Sequence, residues 1–546
     1  MLHKPEKLAL SYSIEGAREI DHIPVPKPLP LELLFGDTDL RREAASIAVN
    51  YYRTAKAAPA DYILAAKKQY SFRTHARLTL PTQIAFELMA REFAVAAHEG
   101  WSTMCFSFKF DKTLPNRLYP EKNPSDRHRW KKFDDERIKF IKKLGPAEQN
   151  GLSGLTTDLS RFFDSVRRVA LMRELERWFP SMTQQINDFG RFMDAMMGTK
   201  DGLPSSTQTA FFFGDLLLLD SDRAASSKCD AALRWVDEYW WFDKFPSQVE
   251  AAYRETLRAV GSLGLVFNDS KSKRLDRDEE LQEAADFKTI RETYYGDLRT
   301  VDTSAKCTFV CGLLIERANS EAQVSRIDKF LLNRLRELFA KDHANASAAE
   351  SVVLRAFTQG FKRSRDSLGH WSEILMLLPS REKVIDIAFD AIKLRKYPLD
   401  ADRARLLDMM PVPELKGYSE EKIPSTRLED FVRSNQYCPT LRGSALRALY
   451  CRSRDIDLAI GVASSGERNR LLREYVLATA IHGTSGEFAQ VLQLLRASQL
   501  DEDEGLLIRA YELLGMKEKE KSPLRLLPAD PRILTGQLDM AVRRHY

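Results

Sequence analysis

The chain has 546 residues, of which 44% are hydrophobic and 29% charged, a balance typical of a globular protein with two or three domains. No run approaches the length of a membrane span, because the densest apolar run, AFFFGDLLLLDSD, contains Asp215 and ends in charges. A formal net charge of +5 permits binding of nucleic acid but does not by itself indicate it.

Six cysteines in a chain of this length form no disulfide framework, which predicts a reducing cytoplasmic setting. The first residues lack an apolar segment followed by a small-residue cleavage site, so we expect no secretion signal. Cys307 and Cys311 make a CxxxC pair, with no second pair or nearby histidine to complete a zinc site. We therefore expect them to be packing residues in an apolar strand.

Residues 1–150 mix helical patterns with short extended segments. Apolar periodicity predicts one or two helices in PLELLFGDTDLRREAASIAVNYYRTAKAA and another in LPTQIAFELMAREFAVAAHEG. SFRTHARLTL is typical of a short basic strand, and TMCFSFKFDK alternates like a second one. Basic clusters lie at 127–132 (RHRWKK) and 271–274 (KSKR), where they are either solvated surface or part of a binding site.

Residues 151–315 alternate predicted strands and helices, which indicates an α/β region. The predicted strands are GLTTDLS, AALRWVDEYWWF, LGLVFN and CTFVCGLLI, and the predicted helices are 164–178, 207–220 and SQVEAAYRETLRAVGSL. Within AALRWVDEYWWF two apolar runs flank an Asp-Glu pair, so we expect a β-hairpin with the acids at its tip.

From about residue 325 onward the pattern changes to helix after helix, each with an apolar stripe at helical spacing. The segments are LLNRLRELFAKD, AESVVLRAFTQGFKR, EKVIDIAFDAIKL, LRGSALRALYCRS, RNRLLREYVLATAIHG, EFAQVLQLLRAS and LLIRAYELLGM. Because their lengths are irregular, we expect an α-helical array of HEAT-like character rather than a regular repeat. Such an array either offers a concave surface to a partner or supports the first half of the chain.

Asp158 and Asp237 are the strongest candidates for a metal site. Asp158 ends an apolar strand pattern, and a carboxylate at the end of a core strand projects from a rigid element. Two strands lying side by side would bring the two acids together although they are 79 positions apart (237 − 158). Carboxylate oxygens suit Mg²⁺ or Mn²⁺, the ions that support two-metal phosphoryl transfer.

The order DLSRFFDSV, GLPSSTQTA, WVDEY and LGLVFNDSKS resembles motifs A, B, C and D of reverse transcriptases, over roughly residues 60–315. The resemblance implies an α+β right-hand polymerase followed by an all-α HEAT-like array. Its domains would be a fingers region with N-terminal helices at 1–150, a palm at 151–320 and the helical domain at 321–546.

Motifs A and C supply the catalytic acids of that family. Asp158 matches the metal-binding aspartate of motif A, and Phe163 matches the aromatic residue that excludes a ribose 2′-hydroxyl, which implies deoxynucleotide use. Motif C, usually Tyr-x-Asp-Asp, is Trp-Val-Asp-Glu here, so Asp237 keeps the first acid and Glu238 replaces the second. The resemblance therefore implies catalysis by Asp158, Asp237 and Glu238, with Mg²⁺ or Mn²⁺ on the two aspartates.

Motif B of the family is a GLP segment that contacts the template and the nascent base pair. Gly202, Leu203 and Pro204 match it, but Ser205 and Ser206 stand where the family has Gln-Gly. Gly202, Pro204 and Ser205 are accordingly expected to contact the nucleotide. The departure at Ser205 and Ser206 puts ordinary template handling in doubt.

Two basic residues complete the implied site. Lys271 matches the motif D lysine that protonates or neutralises the leaving pyrophosphate, and Asn268 matches the polar position before it. Arg77 matches the arginine of the fingers strand that contacts the triphosphate, with Arg73 as the alternative. A guanidinium fork suits phosphate oxygens at such a position.

A degenerate palm before a long helical domain is similar to bacterial abortive-infection and defence-associated reverse transcriptases. That resemblance implies antiphage defence in the cytoplasm, with dNTPs and nucleic acid as partners, no membrane, and a homo-oligomer left open. Some members prime DNA synthesis on a tyrosine of the protein without a template, and others copy a non-coding RNA. The altered motif B favours protein priming. Nothing in the sequence selects the priming residue among the 17 tyrosines, of which Tyr51, Tyr52 and Tyr546 are accessible-looking candidates. A catalytically silent palm that binds RNA or a phage protein is the remaining alternative.

Overall fold

Helices predominate in the chain, and its sheets are small and antiparallel. The computed structural model describes residues 5–21, 31–68, 71–97, 104–105, 136, 139–140, 142–144, 152–205, 207–275, 289–290, 292–297, 301–319, 326–341, 343–360, 368–380, 383–384, 386–387, 400–408, 425–453 and 456–519. The chain divides into two compact units. The first comprises Met1–Ile23, Phe35–Tyr62 and His75–Glu283, and the second comprises Pro24–Leu34, Ile63–Thr74 and Ala284–Tyr546.

Helices and one pair of strands form the N-terminal part of the chain. They are α1 (Pro5–Asp21), α2 (Leu31–Leu34), α3 (Thr38–Thr54), β1 (Asp61–Lys68), β2 (Ser71–Arg77) and α4 (Leu80–Ala96). The Asp37 side chain caps α3 by accepting the backbone N–H of Asp39 at 2.9 Å, and Thr79 caps α4 in the same way. The predicted basic strand and the predicted helices of this part are confirmed. Of TMCFSFKFDK only Met104 and Cys105 are described, and RHRWKK lies outside the described residues.

A four-stranded antiparallel sheet organises the segment that follows, with strand order β4-β5-β3-β6. Its elements are β3 (Ser153–Asp158), α5 (Phe162–Ser165), α6 (Arg168–Trp178), α7 (Thr183–Met197), α8 (Gln208–Leu217), α9 (Leu219–Ser226), β4 (Ala231–Trp235), β5 (Glu238–Asp243), α10 (Pro246–Ser262) and β6 (Lys273–Arg274). The predicted hairpin with acids at its tip is confirmed. Because every pairing in this sheet is antiparallel, the expectation of an α/β region is wrong and the arrangement is α+β.

Phenylalanine rings fill the core where α4, α7 and α8 meet. The rings of Phe189 and Phe213 stack with their centroids 4.3 Å apart, and Phe86 stacks on Phe213 at 5.7 Å. Phe93 packs edge-on against Phe213 at 5.8 Å. All four side chains are buried, so this cluster fixes the helix that follows the GLP segment against the N-terminal helices.

Two predicted strands are not strands. LGLVFN begins with a turn in which Gly264 has a φ of +77°, and it contributes only an isolated bridge between Phe267 and Leu159. CTFVCGLLI lies within the helix α11 (Thr303–Asn319), because its buried residues recur at helical spacing, at 307, 310, 311 and 314. The predicted helices 164–178 and 207–220 each consist of two, since α5 ends at Ser165 and α8 ends at Leu217.

Helices make up nearly all of the described part of the second unit. After α11 come α12 (Arg326–Lys341), α13 (His343–Gly360), α14 (Leu368–Met376), α15 (Asp400–Asp408), α16 (Ser425–Arg433), α17 (Pro439–Ser453), α18 (Asp457–Ser464), α19 (Arg470–Ala480), α20 (Ser485–Ala497) and α21 (Glu502–Lys519). The expected helix-rich C-terminal region is confirmed, while most of EKVIDIAFDAIKL lies outside the described residues. Among the helices of the described residues, none has both the length and the apolar character needed to cross a membrane.

Candidate functional site

The antiparallel register of β3 and β5 brings the predicted catalytic acids together. Asp158, the last residue of β3, lies opposite Glu238, the first residue of β5. The backbone N–H of Leu159 donates to the carbonyl of Asp237 at 2.9 Å, which ties the hairpin turn to the end of β3. Two acids that are distant in sequence thus lie close together where β3 ends and β5 begins. We call this end of the two central strands the sheet edge.

A third segment, residues 266–272, closes the site from the other side of β3. The backbone N–H of Asn268 donates to the carbonyl of Asp158 at 2.8 Å. A turn of 3-10 helix at Asp269–Lys271 follows, and the Lys271 ammonium forms an ion pair with Oδ2 of Asp158. The Thr157 and Ser272 hydroxyls are hydrogen-bonded at 2.7 Å and fasten this segment to β3. The predicted Lys271 therefore contacts one of the predicted metal ligands.

Negative charge accumulates at this sheet edge. Burial, with added repulsion from Glu238 and Asp158, raises the pKa of Asp237 to about 6, and Lys271 opposes that rise only in part. Asp158 is itself only 6% exposed. A cation placed between these carboxylates would lower their electrostatic energy.

The chemistry of these carboxylates fits a divalent cation whose remaining ligands come from outside the protein. Oδ1 of Asp158 is buried without a hydrogen-bond partner in the described part of the protein, and an ionised carboxylate can only accept bonds or bind a cation. Among the described residues, no group of three or more His, Cys, Asp or Glu side chains could enclose a metal ion. Mg²⁺ commonly binds through one or two carboxylates, with phosphates and water as its other ligands. Asp158 and Asp237 match that pattern.

The GLP segment packs directly on the chain that follows Asp158. The N–H groups of Gly202 and Leu203 donate to the carbonyls of Val166 and Phe163 at 2.9 and 2.8 Å. Gly202 has a φ of +111°, and a Cβ there would lie 2.9 Å from the Phe163 oxygen. This position therefore requires glycine. The half-buried Phe163 ring packs edge-on against Phe211, with centroids 4.8 Å apart.

The rest of the GLP segment turns into α8. The Pro204 carbonyl accepts the backbone N–H of Thr207 at 3.1 Å, and Thr207 in turn caps the helix. The Ser205 hydroxyl is buried without a hydrogen-bond partner among the described residues. Ser206 lies outside the described residues. Pro204 and Ser205 thus lead from Gly202 into the cap of α8, while their contact with a nucleotide stays a prediction.

Two comparisons with known proteins found no related protein. No protein-family model matches the chain, and a search of curated proteins found no significant match. A function for the site can therefore be inferred only from the order of its motifs and from the contacts described above.

Arg77, the predicted triphosphate ligand, is the last residue of β2 and is buried, with 6% of its surface exposed. Three residues later α4 begins, whose Phe86 and Phe93 pack on α8. Arg77 therefore precedes a helix fixed to the GLP side of the site, while its contact with a triphosphate stays a prediction. The side chain of the alternative, Arg73, lies outside the described residues.

The candidate priming tyrosines of the N-terminal region are poorly placed as nucleophiles. Tyr51 is buried. Tyr52 donates its hydroxyl to Glu92, and burial together with this carboxylate raises its pKa well above the usual value. A raised pKa reduces the fraction of phenolate available for attack. Tyr546 lies outside the described residues.

Sequence reasoning missed a buried cluster beneath the hairpin turn. Arg234, on β4, is fully buried and forms ion pairs with Asp215 and Asp222. The sequence offers two signals. Asp215 and Asp222 are seven positions apart, about two turns of a helix, and Arg234 interrupts an apolar strand. Neither signal names the partner, since only the fold brings these charges together.

Proposed function

We propose that this protein is a metal-dependent nucleotidyltransferase that joins deoxynucleotides into DNA, a polymerase of the reverse-transcriptase type. The observation that carries the proposal is the meeting of Asp158, Asp237 and Lys271 at one sheet edge. These residues come from three segments whose order along the chain resembles motifs A, C and D. In this proposal the palm would consist of the four-stranded sheet and its helices.

Asp158 and Asp237 would hold Mg²⁺ or Mn²⁺ together with the triphosphate. When bound, the metal lowers the pKa of the attacking hydroxyl and stabilises the leaving oxygen. The hydroxyl would release its proton to solvent, its oxygen would form a bond to the α-phosphorus, and the bond from that phosphorus to the pyrophosphate oxygen would break. Glu238, directly opposite Asp158, keeps a negative charge next to the metal ligands.

Lys271 is the residue that can neutralise the negative charge that develops on the leaving group. Its side chain is 38% exposed and contacts Asp158, so it can turn from the carboxylate to the pyrophosphate as negative charge develops there. An ammonium group at that position neutralises the leaving group or donates a proton to it. Lys271 therefore has two partners in succession, Asp158 before the substrate binds and pyrophosphate afterwards.

Selection of the sugar would depend on Phe163, and selection of the nucleotide on the GLP segment. The ring of Phe163 packs on Phe211 and its carbonyl accepts the N–H of Leu203, so both its side chain and its backbone are held where the ring would exclude a 2′-hydroxyl. Gly202, Pro204 and Ser205 belong to the GLP segment, and there they would face the base pair. Arg77 would contact the triphosphate from the fingers side.

The resemblance to defence-associated enzymes extends the proposal to antiphage defence, with protein-primed synthesis that needs no template. The alternative is synthesis templated by a partner non-coding RNA. A catalytically silent scaffold is disfavoured by Oδ1 of Asp158, because a buried carboxylate oxygen without a partner lowers stability and serves no purpose unless a ligand binds it.

The test is to incubate the purified protein with Mg²⁺ and labelled dNTPs without template, and to look for label on the denatured protein. We expect label on the wild-type protein and none on Asp158→Ala or Asp237→Ala. Asp39→Ala, a change at an acid whose side chain is 87% exposed, is the matched control and should incorporate normally. Incorporation only with added RNA supports the templated alternative, and none under any condition contradicts the enzyme.

A further inference from the structure

Arg234 lies in a fully buried cluster of charges under the β4–β5 turn. Its Nε and Nη2 donate to the two oxygens of Asp222 at 2.6 and 2.8 Å, a bidentate pair. Its Nη1 donates to Oδ1 of Asp215 at 2.7 Å. Both aspartates are 2% exposed and belong to the two helices that follow the GLP segment. The guanidinium is thus locked in one orientation by two carboxylates.

The same guanidinium also holds the backbone of the turn. Nη1 of Arg234 donates to the carbonyl of Val236 at 2.6 Å. Val236 has a φ of +57°, in the left-handed region that a β-branched side chain rarely adopts. A conformation of this kind persists only where the surroundings impose it. The hydrogen bond from Arg234 is one such constraint, and the apolar neighbours of the buried Val236 side chain are another.

This constrained residue directly precedes Asp237. Two consecutive carbonyls of the turn are therefore held by hydrogen bonds, that of Val236 from Arg234 and that of Asp237 from the N–H of Leu159 at 2.9 Å. The Tyr239 hydroxyl donates to Oδ1 of Asp222 at 3.3 Å, so the cluster also binds the strand that leaves the turn. Rotation of the peptide plane at Val236 would move the Asp237 carboxylate away from Asp158.

We propose that Arg234, oriented by Asp215 and Asp222, is a positioning residue that holds the Val236–Asp237 turn so that Asp237 and Asp158 can share a metal ion. The proposal rests on the proposed function, because it assigns Asp237 to a metal site. It goes beyond a structural role for the cluster, since it predicts that geometry of the turn, rather than stability, limits metal affinity.

Arg234→Lys in the full-length protein is the first test. Lysine keeps the charge between the aspartates, but a single ammonium cannot provide the fork and the carbonyl bond together. We expect a folded protein whose Kd for Mn²⁺, measured by electron paramagnetic resonance, rises at least tenfold. The kcat for dNTP incorporation should fall by a similar factor with little change in KM. Amide hydrogen exchange at residues 236–238 should accelerate.

The triple variant Asp215→Asn, Asp222→Asn, Arg234→Met covers the case in which Arg234→Lys fails to fold. It removes the whole cluster without leaving a buried charge unpaired, and we expect the same loss of Mn²⁺ affinity. Arg473→Lys, at another buried arginine that contacts a glutamate, is the matched control and should leave Mn²⁺ affinity unchanged.

Folded Arg234 variants with wild-type Mn²⁺ affinity and unchanged exchange at 236–238 would overturn the proposal, as would an equal loss of affinity in Arg473→Lys. If the wild-type protein binds no Mn²⁺, the proposed function fails. Hydrogen exchange then still decides whether Arg234 holds the turn, because faster exchange at 236–238 in the variants supports this and unchanged exchange refutes it.

Discussion

The helices of the second unit and the sheet edge of the first unit both bury charged side chains, but the hydrogen bonds and ion pairs of those side chains differ. We call the second unit the helical unit. In the helical unit Arg473 donates to Glu504, to the Glu467 and Leu495 carbonyls, and to Ser498, so that every N–H of its guanidinium is used. The second oxygen of Glu504 accepts the Leu500 N–H at 2.6 Å. This buried pair is complete within the protein.

At the sheet edge the corresponding set is incomplete. Oδ1 of Asp158 has no hydrogen-bond partner in the described part of the chain, and the Asp237 carboxyl has a pKa raised to about 6 by burial and its acidic neighbours. A complete buried ion pair contributes to a fixed fold, whereas an incomplete one stores an unfavourable energy that a ligand can relieve. The contrast distinguishes a charge pair that is complete within the protein from the acids at which we propose a metal site.

The largest effect is expected from neutralising the sheet edge. Asp158→Asn and Asp237→Asn should each lower dNTP incorporation at least ~10³-fold, about 4 kcal/mol in the activation barrier. Each variant should keep the wild-type circular dichroism spectrum, because among the described residues Asp237 forms no ion pair and Asp158 forms one, with Lys271. Incorporation within tenfold of wild type in both variants would place the catalytic acids elsewhere.

Breaking the complete pair should affect stability instead. Arg473→Met leaves Glu504 buried and without its cation, so the free energy of unfolding should fall by about 3–5 kcal/mol in urea titrations. Arg468→Met, a change at an exposed arginine in the same segment, should have little effect. A loss below about 1 kcal/mol for Arg473→Met would show that this buried pair is not what stabilises the unit.

Removing the cation that already contacts the sheet edge should have a smaller effect on catalysis. Lys271→Met is expected to slow incorporation about 10²-fold, because the leaving pyrophosphate loses its proton donor or counter-charge. Without nucleotide, the same change should tighten Mn²⁺ binding, since the ammonium no longer competes for Asp158. Lys273→Met, at an exposed lysine two residues on, should change neither quantity. Weaker Mn²⁺ binding by Lys271→Met would contradict the competition.

The smallest effect concerns stability at the site itself. The pKa of Asp237 rises from 3.8 to about 6 on folding, so this carboxyl favours the fold below pH 3.8 and ceases to do so as the pH rises through 6. Asp237→Asn should therefore raise the free energy of unfolding by about 2–3 kcal/mol at pH 7.5 without metal. The gain should shrink as the pH falls from 6 to 4. A gain that is the same at pH 4 and pH 7.5 would rule out this cause.

The strand end and the hairpin tip that carry the acids could be predicted from sequence, because both depend on local patterns. Asp158 follows an apolar strand pattern, and Asp237 separates two apolar runs. The apolar run at 306–315 could not be recognised as a helix in this way. Its buried positions recur at helical spacing, but the consecutive apolar residues between them hide this period. In α11 both Cys307 and Cys311 are buried, and burial raises their pKa values to about 11 and 12.

The support beneath the site could not be predicted either. Arg234 finds its partners 12 and 19 positions away, and only the packing of α8 and α9 against β4 selects them from the other acids. The positive φ of Val236 is contrary to the preference of a β-branched residue, so no local rule indicates it. Both features depend on tertiary contacts.

Titration of the full-length protein with Mn²⁺, followed by electron paramagnetic resonance in the presence of a non-hydrolysable dNTP, tests whether Asp158 and Asp237 hold a metal ion. Wild-type protein should bind Mn²⁺ saturably, and the double variant Asp158→Asn, Asp237→Asn should lose that binding while remaining folded. Equal affinity and stoichiometry in the wild-type protein and the double variant would contradict the assignment of these aspartates to a catalytic metal site.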